Sequence, residues 1–473
     1  MKKGVFLIVS LLAFGYVFGQ DKKTWNLQEC IEYALQHNPN LLNSQLTVEQ
    51  ASNNLQQDKL DRYPTLNSSA SHNYNFGRTI DPFTNQFVNQ SIQSNNFSLN
   101  SGVTLYNGYR LRNNINLSAN SMERAELSKK AAENDLAMAV ANVYLQIILA
   151  EKQLESLQET NKNTKTQMDQ AKKLYEGGTA NQSRYLTFKA QDARDQMNIQ
   201  TAKSTIRMVY LQLIQLMQLP SNEAFQIDIP QFSNVPLAVP YSMNDLMAAS
   251  SKALPNMQIA ENQVKASELS EKIAEAALYP RLMLFGNVNT LYSESRLEKF
   301  NPTTNTVPIG YVQGTNEPVL SQFTSYQTKT SPFGNQLSDN FGQAIGLSLS
   351  IPIYNNNQAK TSVENAKIST EMAQNNLQVT QNQLNADIIQ SYSDFENSVA
   401  AYQSALENKK AQQENYDFSK KTYEAGVATA AEMIIAQNNL SQAEIDLERA
   451  KMQLIFNHTL LEFYNSGEIK LVE

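Results

Sequence analysis

An internal duplication constrains the fold of this chain more than any other feature of its sequence. Two landmarks of the first half recur 216 residues later: Pro39-Asn40 as Pro255-Asn256, and Tyr63-Pro64 as Tyr279-Pro280. Two more recur 248 residues later: Leu105-Tyr106-Asn107 as Ile353-Tyr354-Asn355, and Tyr175-Glu176-Gly177-Gly178 as Tyr423-Glu424-Ala425-Gly426. Repeated landmarks in one order indicate two copies of one structural unit, of which the second carries an insertion between Pro280 and Tyr354.

The duplication predicts two structural repeats, over residues 20–229 and 230–473. Each repeat reads as helix, strand, strand, long helix, turn and helix. The chain of 473 residues is longer than one hydrophobic core usually holds, which agrees with more than one structural unit.

A β-hairpin is predicted in each repeat, over 64–106 in the first and 280–354 in the second. The residue before a proline avoids the helical region, so the chain turns extended at Tyr63 and Tyr279. Apolar residues then recur with the period of two that is typical of strands; they are Phe97, Leu99, Val103 and Leu105, and Ile345, Leu347, Leu349 and Ile351. Loops are expected over about Gly77–Gln93 and Leu297–Asn340, and the second loop holds the insertion.

Helices are predicted on both sides of each hairpin. Trp25 to about Leu60 and Met243 to about Leu278 are expected to be helical up to the Tyr-Pro signals. No proline occurs between Asn107 and Tyr175 or between Asn355 and Tyr423, so each span is expected to form one helix of ~70 residues, ~100 Å long. Heptad spacing of apolar residues supports helix packing; it is seen in Leu136, Val140, Val143, Ile147, Ala150, Leu154 and Leu157, and in Leu440, Leu447, Leu454 and Leu461. The turns are expected near Gly178 and Gly426.

Residues 1–19 resemble a secretory signal peptide. Lys2 and Lys3 precede an apolar run from Val5 to Phe18, and a small-residue cleavage site falls before Gln20. Export is therefore predicted. The net charge of −7 argues against nucleic acid as a partner, because phosphate binding needs a surplus of Lys and Arg. The single cysteine, Cys30, cannot form an internal disulfide and is expected to be a packed small residue.

Four amphipathic strands in an exported chain leave two sheet edges open. In a membrane every backbone group must be paired, so such a sheet must close with other copies of itself. Two, three or four chains would all satisfy the even strand number of outer-membrane barrels.

The duplicated plan resembles the TolC-type outer-membrane efflux proteins over essentially the whole mature chain. Tyr-Pro leads into each hairpin, Tyr-Asn leaves it, and the long helical hairpins turn at Tyr-Glu-x-Gly. The resemblance implies a mainly α protein with a membrane β-barrel part: a homotrimer whose twelve-stranded barrel lies in the lipid of the outer membrane of a Gram-negative bacterium and whose twelve-helix barrel extends into the periplasm. It also implies a passive export duct of a tripartite efflux or type I secretion system, with a periplasmic adaptor and an inner-membrane pump of RND or ABC type as partners.

The resemblance further suggests site residues. The hairpin tips, which would contact the adaptor, are Gly178, Thr179 and Ala180, and Gly426, Val427 and Ala428. In the family, an acidic residue six positions beyond the tip glycine lines the periplasmic gate, and the residue at this position here is Glu432. Arg184 occupies the equivalent position of the first repeat and is a candidate ion-pair partner in a neighbouring hairpin. The second acidic position of the family is Ile435, a departure that puts a double acidic ring in doubt. Membrane-interface aromatics would be Tyr63, Tyr106, Tyr279 and Tyr354.

Two other classes remain as alternatives. A periplasmic or surface coiled-coil structural protein would explain the helices but leaves the strand hairpins unexplained. An enzyme is not expected, because no catalytic motif is recognised and the histidines, His37, His72 and His458, lack metal-ligand spacing. Neither a cofactor nor a metal is predicted.

Overall fold

The computed structural model describes residues 24–80, 85–89, 91–220, 225–230, 232, 235–239, 241–467 and 469. The predicted signal peptide over residues 1–19 lies outside these residues. The chain divides into two compact units. The helical unit comprises the described residues of Met1–Gln50, Glu123–Gln263 and Gln374–Glu473, and the strand unit comprises those of Ala51–Met122 and Val264–Ala373.

The helices account for most of the chain. In chain order they are α1 (Leu27–His37), α2 (Pro39–Leu60), α3 (Arg110–Glu176), α4 (Gln182–Met217), α5 (Met243–Ala253), α6 (Pro255–Glu275), α7 (Phe333–Asp339), α8 (Gln358–Glu424) and α9 (Ala430–Ser466). The two long helices, α3 and α8, each run for 67 residues without interruption, close to the length that the proline-free spans predict.

A proline divides the first helical segment of each repeat into two helices, where the sequence suggested one. Asn38 and Leu254 are both extended, with ψ angles of 122° and 129°, and the next residue, Pro39 or Pro255, begins a new helix. The physical reason is that proline blocks the helical conformation of the preceding residue but fits the first turn of a helix well. The division falls at the same place in both repeats.

The strands are β1 (Thr24–Trp25), β2 (Thr65–Asn75), β3 (Arg78–Ile80), β4 (Phe87–Asn89), β5 (Ile92–Tyr106), β6 (Gln226–Ile227), β7 (Arg281–Ser293), β8 (Leu297–Tyr311), β9 (Pro318–Thr330) and β10 (Gly342–Ser350). Four of them form the main antiparallel sheet of the strand unit, in the order β10-β7-β5-β2. The central pair β5–β7 joins one repeat to the other, so the two predicted hairpins become one continuous sheet.

The segment expected to be a loop over Leu297–Asn340 contains regular structure instead. The strands β8 and β9 pair with each other as a separate antiparallel hairpin, and α7 follows them. The segment is rich in Thr, Val, Phe and Tyr, which favour strands, although it lacks the clean alternation that would reveal a one-sided sheet. The other expected loop, Gly77–Gln93, holds the short pair β3 and β4.

The core of the helical unit is built around the middle of α3. Val140, Val143 and Ile147, three of the predicted heptad positions, are buried there together with residues of α1, α4 and α9. Cys30 is fully buried in this cluster and unpaired, and burial raises the pKa of its thiol to about 12. The hydroxyl of Tyr144 donates to the backbone oxygen of Asp228, next to the parallel pair β1–β6.

Candidate functional sites at the helical turns and the sheet

The turn after each long helix has the same backbone geometry. In the first repeat the amide of Thr179 donates to the carbonyl of Leu174, and that of Gly178 donates to Tyr175, both at 2.9 Å. The second repeat repeats this pattern, from Val427 to Thr422 at 2.9 Å and from Gly426 to Tyr423 at 3.0 Å. The glycines have φ angles of 72° and 79°. Both ends are therefore Schellman motifs, in which a left-handed glycine satisfies the last carbonyls of the helix.

The two turns differ in the side chains that they present. Val427 is 82% exposed, whereas the equivalent residue of the first repeat is Thr179, whose hydroxyl donates to the carbonyl of Leu174 at 3.0 Å. Ala180 and Ala428 are half-buried. The second turn therefore offers an exposed apolar side chain on a rigid, hydrogen-bonded backbone.

Glu432 closes the start of α9. Its carboxylate accepts hydrogen bonds from the backbone amide of Thr429 at 2.7 Å and from the Thr429 hydroxyl at 3.0 Å, and Thr429 accepts in return from the amide of Glu432. These two hydrogen bonds hold the pKa of the fully exposed Glu432 carboxyl below its ordinary value, and the bond from the backbone amide has the larger effect. The arrangement is a capping box. The sequence Thr-x-x-Glu carries this signal, which the sequence analysis missed.

Arg184 contacts a tyrosine of the other repeat. Its guanidinium carbon lies 4.0 Å from the ring centroid of Tyr423, and its Nε donates to the Tyr423 hydroxyl. Tyr423 is buried, and its ring meets Phe188 edge-on at 5.8 Å. Burial raises the pKa of Tyr423, while the nearby guanidinium lowers it. Among the described residues of one chain, no ion pair joins Arg184 to Glu432. The structure therefore gives the two predicted gate residues separate partners.

Tyr423 shows how the repeats diverge. It belongs to the repeated Tyr-Glu-x-Gly motif, but its counterpart Tyr175 is 39% exposed while Tyr423 is 3% exposed. Tyr423, Phe188 and Met433 belong to an apolar cluster that joins residues of α3, α4, α8 and α9 close to the turns. No local pattern could have identified Tyr423 as the partner of Arg184, because 239 residues separate them.

A polar layer lies further along the same helices. The buried carboxylate of Asp195 accepts from the Thr164 hydroxyl and from the Gln191 amide, both at 2.7 Å. Gln437 of α9 donates to the carbonyl of Thr160 at 2.8 Å. Polar groups thus connect α3, α4 and α9 where an apolar seam would be expected, and buried polar contacts of this kind favour one helix register.

The four-stranded sheet has one apolar and one polar face. Pairing places Leu347 opposite Leu284 and Leu349 opposite Leu282, while Leu284 also faces Val103. The same face carries Leu66 and Ile345, and Ile345 is 81% exposed. The other face is mostly Ser, Asn, Thr and Gly, with residues such as Ser98, Asn100, Asn287, Asn289 and Ser348. A sheet of this kind fits between lipid and water.

Tyr63, Tyr106, Tyr279 and Tyr354 all lie at or just beyond one end of this sheet. Tyr106 is the last residue of β5, and a bulge after Thr104 brings it opposite Leu282, on the apolar face. Tyr63, Tyr279 and Tyr354 are exposed. The opposite end of the sheet carries the pairs β3–β4 and β8–β9 together with α7. The structure thus groups the four tyrosines, while their membrane role stays a prediction.

Three further features were considered as possible sites: metal-binding clusters, the buried histidine His458 and membrane-spanning helices. Within the described ranges no group of three His, Cys, Asp or Glu residues is arranged to hold a metal ion. His458 is buried, and burial lowers its pKa although Glu462 raises it. No helix among the described residues is both long and apolar enough to cross a membrane.

Comparison with known proteins shows the class to which this architecture belongs. The family model of outer membrane efflux proteins matches residues 30–217 and 251–462. The chain belongs to the outer membrane efflux protein family, which confirms the resemblance to TolC-type channels. No curated protein matches the chain in sequence.

Solved structures share the fold. The outer membrane protein VceC from Vibrio cholerae is 15% identical, with a TM-score of 0.68 over 93% of this chain and 96% of that one. The CmeC outer membrane channel of Campylobacter jejuni is 16% identical, with a TM-score of 0.69 over 94% and 87%. The MtrE channel of Neisseria gonorrhoeae, solved in its open state, is 18% identical, with a TM-score of 0.64 over 93% and 88%.

The chain is therefore an outer-membrane efflux channel subunit, placed in the outer membrane and extending into the periplasm. Its family consists of channels, and these are trimeric and work with an adaptor and an inner-membrane pump. The predicted fold class, an α-barrel continued by a β-barrel and built from a duplicated unit, is confirmed.

Proposed function

We propose that this chain forms a homotrimer that conducts substrates passively from the periplasm to the exterior and carries out no catalysis. The two-faced sheet is the observation that best supports this proposal. Its end strands β2 and β10 have no strand partner on their outer edges among the described residues, so three copies would close a twelve-stranded barrel. The strands are 9 to 15 residues long, close to or above the ~9–11 residues that cross a membrane.

The adaptor is expected to bind the two helical turns. Gly178, Thr179, Ala180, Gly426, Val427 and Ala428 are the contact residues that we assign. The two turns share one hydrogen-bonded backbone, and a rigid loop loses little conformational entropy on binding. The exposed side chain of Val427 gives the second turn an apolar anchor. The inner-membrane pump that supplies energy is of RND or ABC type, and it chooses the substrate.

The gate is assigned to the same end of the molecule. Glu432 and Arg184 lie just beyond the turns, where the helices of three copies would converge. In one chain Glu432 holds its own helix start and Arg184 holds Tyr423. We propose that these contacts keep the turns in the closed arrangement, and that an ion pair between neighbouring hairpins adds to them. The double replacement Arg184→Glu with Glu432→Arg should then restore only the part of the closure that the ion pair contributes, because the swap also removes the cap of α9 and the contact with Tyr423.

A charge placed on the exposed turn tests the adaptor contact. Val427→Glu should abolish efflux from intact cells, because interface cores exclude an unpaired carboxylate. The Schellman glycine remains, so the trimer should form normally. Val379→Glu, at an exposed valine within α8, is the matched control and should leave efflux intact. Drug accumulation in cells and the mass of the purified protein in detergent are the measurements. Normal efflux by Val427→Glu would place the contact elsewhere, and a monomeric mass for the unaltered chain would refute the trimer.

A further inference from the structure

The hairpin β8–β9 is the part of the strand unit that the repeat does not explain. It lies in the insertion of the second copy and pairs as a separate two-stranded sheet from Leu297 to Thr330. Both outer edges of this sheet lack a strand partner among the described residues. An isolated two-stranded hairpin is only marginally stable in water, so a long one needs something to cover it.

The root of this hairpin is held in a fixed position. Gln336 of α7 is fully buried; its amide donates to the carbonyls of Ser293 and Ser331 at 2.9 Å, and its oxygen accepts from the amide of Ser293 at 3.0 Å. Arg296 forms an ion pair with Asp339 at 2.7 Å. These contacts connect the end of β7, the base of the hairpin and α7, so the hairpin leaves the sheet in a defined direction.

The remainder of the hairpin is exposed and almost uncharged. Between Phe300 and Thr328 the only charged residue is Glu317. Large apolar side chains are exposed on both of its faces: Phe323 and Val319 on one, and Leu320 and Tyr326 on the other. Natural proteins normally protect an exposed strand edge with charges, particularly lysine, because open edges pair with other chains. This hairpin lacks charges over most of its length, and only Pro302, Pro308 and two register shifts protect the edge of β8. The exposed apolar side chains on its faces have no such protection, which indicates that the faces are covered in the assembled protein.

The position at which the β8–β9 hairpin leaves the main sheet indicates what covers the hairpin. The hairpin is inserted between β7 and β10, and β10 is the end strand of the main sheet. In the trimer of the proposed function, on which this inference rests, the outer edge of β10 meets the next copy. The hairpin therefore leaves the sheet beside the interface between two copies. The nearest surface that is equally apolar and uncharged is the same hairpin of the neighbouring chain.

We propose that the three β8–β9 hairpins pack against one another and form a collar at the end of the barrel that lies away from Tyr63, Tyr106, Tyr279 and Tyr354. The collar is an extension of the subunit interface, made by exposed apolar side chains and uncharged strand edges. It would hold the trimer together beyond the barrel itself. It would also narrow the outlet of the channel.

Cysteine cross-linking tests the collar in the full-length protein. The native cysteine is first removed by Cys30→Ala, and single cysteines are then introduced as Val319→Cys, Phe323→Cys, Leu320→Cys or Tyr326→Cys. A short bis-maleimide should link chains into covalent dimers at the positions of at least one hairpin face. Asn100→Cys, on the polar face of the central strand β5, is the control and should give no covalent dimer. Absence of cross-links at all four hairpin positions would overturn the collar, as would cross-links only to a different protein.

Truncation provides a second measurement. Residues 299–328 are replaced by Asn-Gly, which forms a tight hairpin turn between the facing residues Glu298 and Lys329. The truncated trimer should dissociate on heating in detergent at a lower temperature than the full-length trimer. An unchanged temperature in a protein that remains trimeric would refute the collar and leave the trimeric channel standing. A monomeric mass for the unaltered protein would refute both.

Discussion

Glu432 illustrates how one side chain can serve a local structure and a wider function. Its carboxylate accepts two hydrogen bonds from Thr429, one from the backbone amide and one from the hydroxyl. Without the carboxylate, that amide at the start of α9 would lack a hydrogen-bond acceptor. The same carboxylate is fully exposed and is the candidate gate charge. A substitution that separates the two roles is therefore more informative than simple removal.

Glutamine separates the cap from the charge, because its side-chain oxygen can still accept in a capping box. Glu432→Gln should keep the first turn of α9 protected in hydrogen exchange, whereas Glu432→Ala should lose that protection. If the charge contributes to the gate, Glu432→Gln should raise single-channel conductance in planar bilayers. Wild-type conductance for Glu432→Gln would exclude the charge from gating.

The pKa of Glu432 gives this cap a pH dependence of known sign. A carboxyl whose pKa is lowered in the folded state contributes stability above its unfolded pKa, and that contribution is lost as pH falls through the folded pKa. Protection at the start of α9 should therefore be complete above the ordinary glutamate pKa of about 4.3 and should fall as the pH drops below it in the wild type. The fall should be smaller in Glu432→Gln. Equal pH profiles for the two proteins would contradict this assignment.

Arg184 and Tyr423 form a contact that is testable by a double-mutant cycle. A guanidinium over an aromatic ring contributes about 0.5–2 kcal/mol, depending on burial. Arg184→Ala and Tyr423→Ala should each loosen the turns and raise single-channel conductance, and the double variant should add little to either. Tyr423→Phe keeps the ring and loses only the hydrogen bond, so its effect should be smaller. Lys189→Ala, which removes another cation of α4, is the control. Additive effects would show that the two residues act independently.

At the scale of elements, the two helical turns carry a testable backbone requirement. A β-carbon at Gly178 or Gly426 would meet no atom within 4 Å, so a replacement at either glycine meets no clash. The cost is the left-handed conformation, about 1–2 kcal/mol for a residue such as alanine. Gly426→Ala should lower the stability of the turn by this amount, and Gly426→Asn by less, because asparagine tolerates the conformation. Hydrogen exchange at the end of α8 is the measurement, and equal effects of Ala and Asn would contradict the explanation.

The sheet shows a different requirement at Gly346. There a β-carbon would come within 2.8 Å of the Phe285 ring on the neighbouring strand. The glycine leaves room for an aromatic ring on the face that is mostly small and polar. Glycine is required at position 346 because a larger side chain would clash with Phe285, whereas it is required in the two turns because of their left-handed backbone conformation.

At the scale of the whole molecule, the orientation in the membrane follows from which elements lie at each end of the sheet. The hairpin β8–β9 leaves the sheet at one end, and the four tyrosines lie at the other. An epitope tag inserted at Asn305 should be reached by antibody on intact cells, whereas a tag at Gly178 should be reached only after the outer membrane is opened. Western blots of both tagged proteins control for expression. The opposite pattern of labelling would reverse the orientation and remove the adaptor assignment.

The sequence alone determined most of the elements of this protein. The repeated landmarks located the turns and junctions, because Pro fixes its own backbone conformation and Gly permits the left-handed conformation that a helix-ending turn needs. Period-two alternation revealed β5 and β10 of the main sheet, and the absence of proline revealed the two long helices. The capping box of Glu432 was also readable, since Thr429 and Glu432 are only three residues apart.

Only the tertiary structure decided which distant residues meet. The pairing of β5 with β7 joins the two repeats, and the contact of Arg184 with Tyr423 joins residues 239 positions apart. Such contacts depend on how the elements pack, and no local propensity encodes them. The β8–β9 hairpin escaped prediction for a related reason. Within its own chain the hairpin is exposed on both faces and has no buried side, so its sequence lacks the strong alternation of polar and apolar residues that predicts a strand.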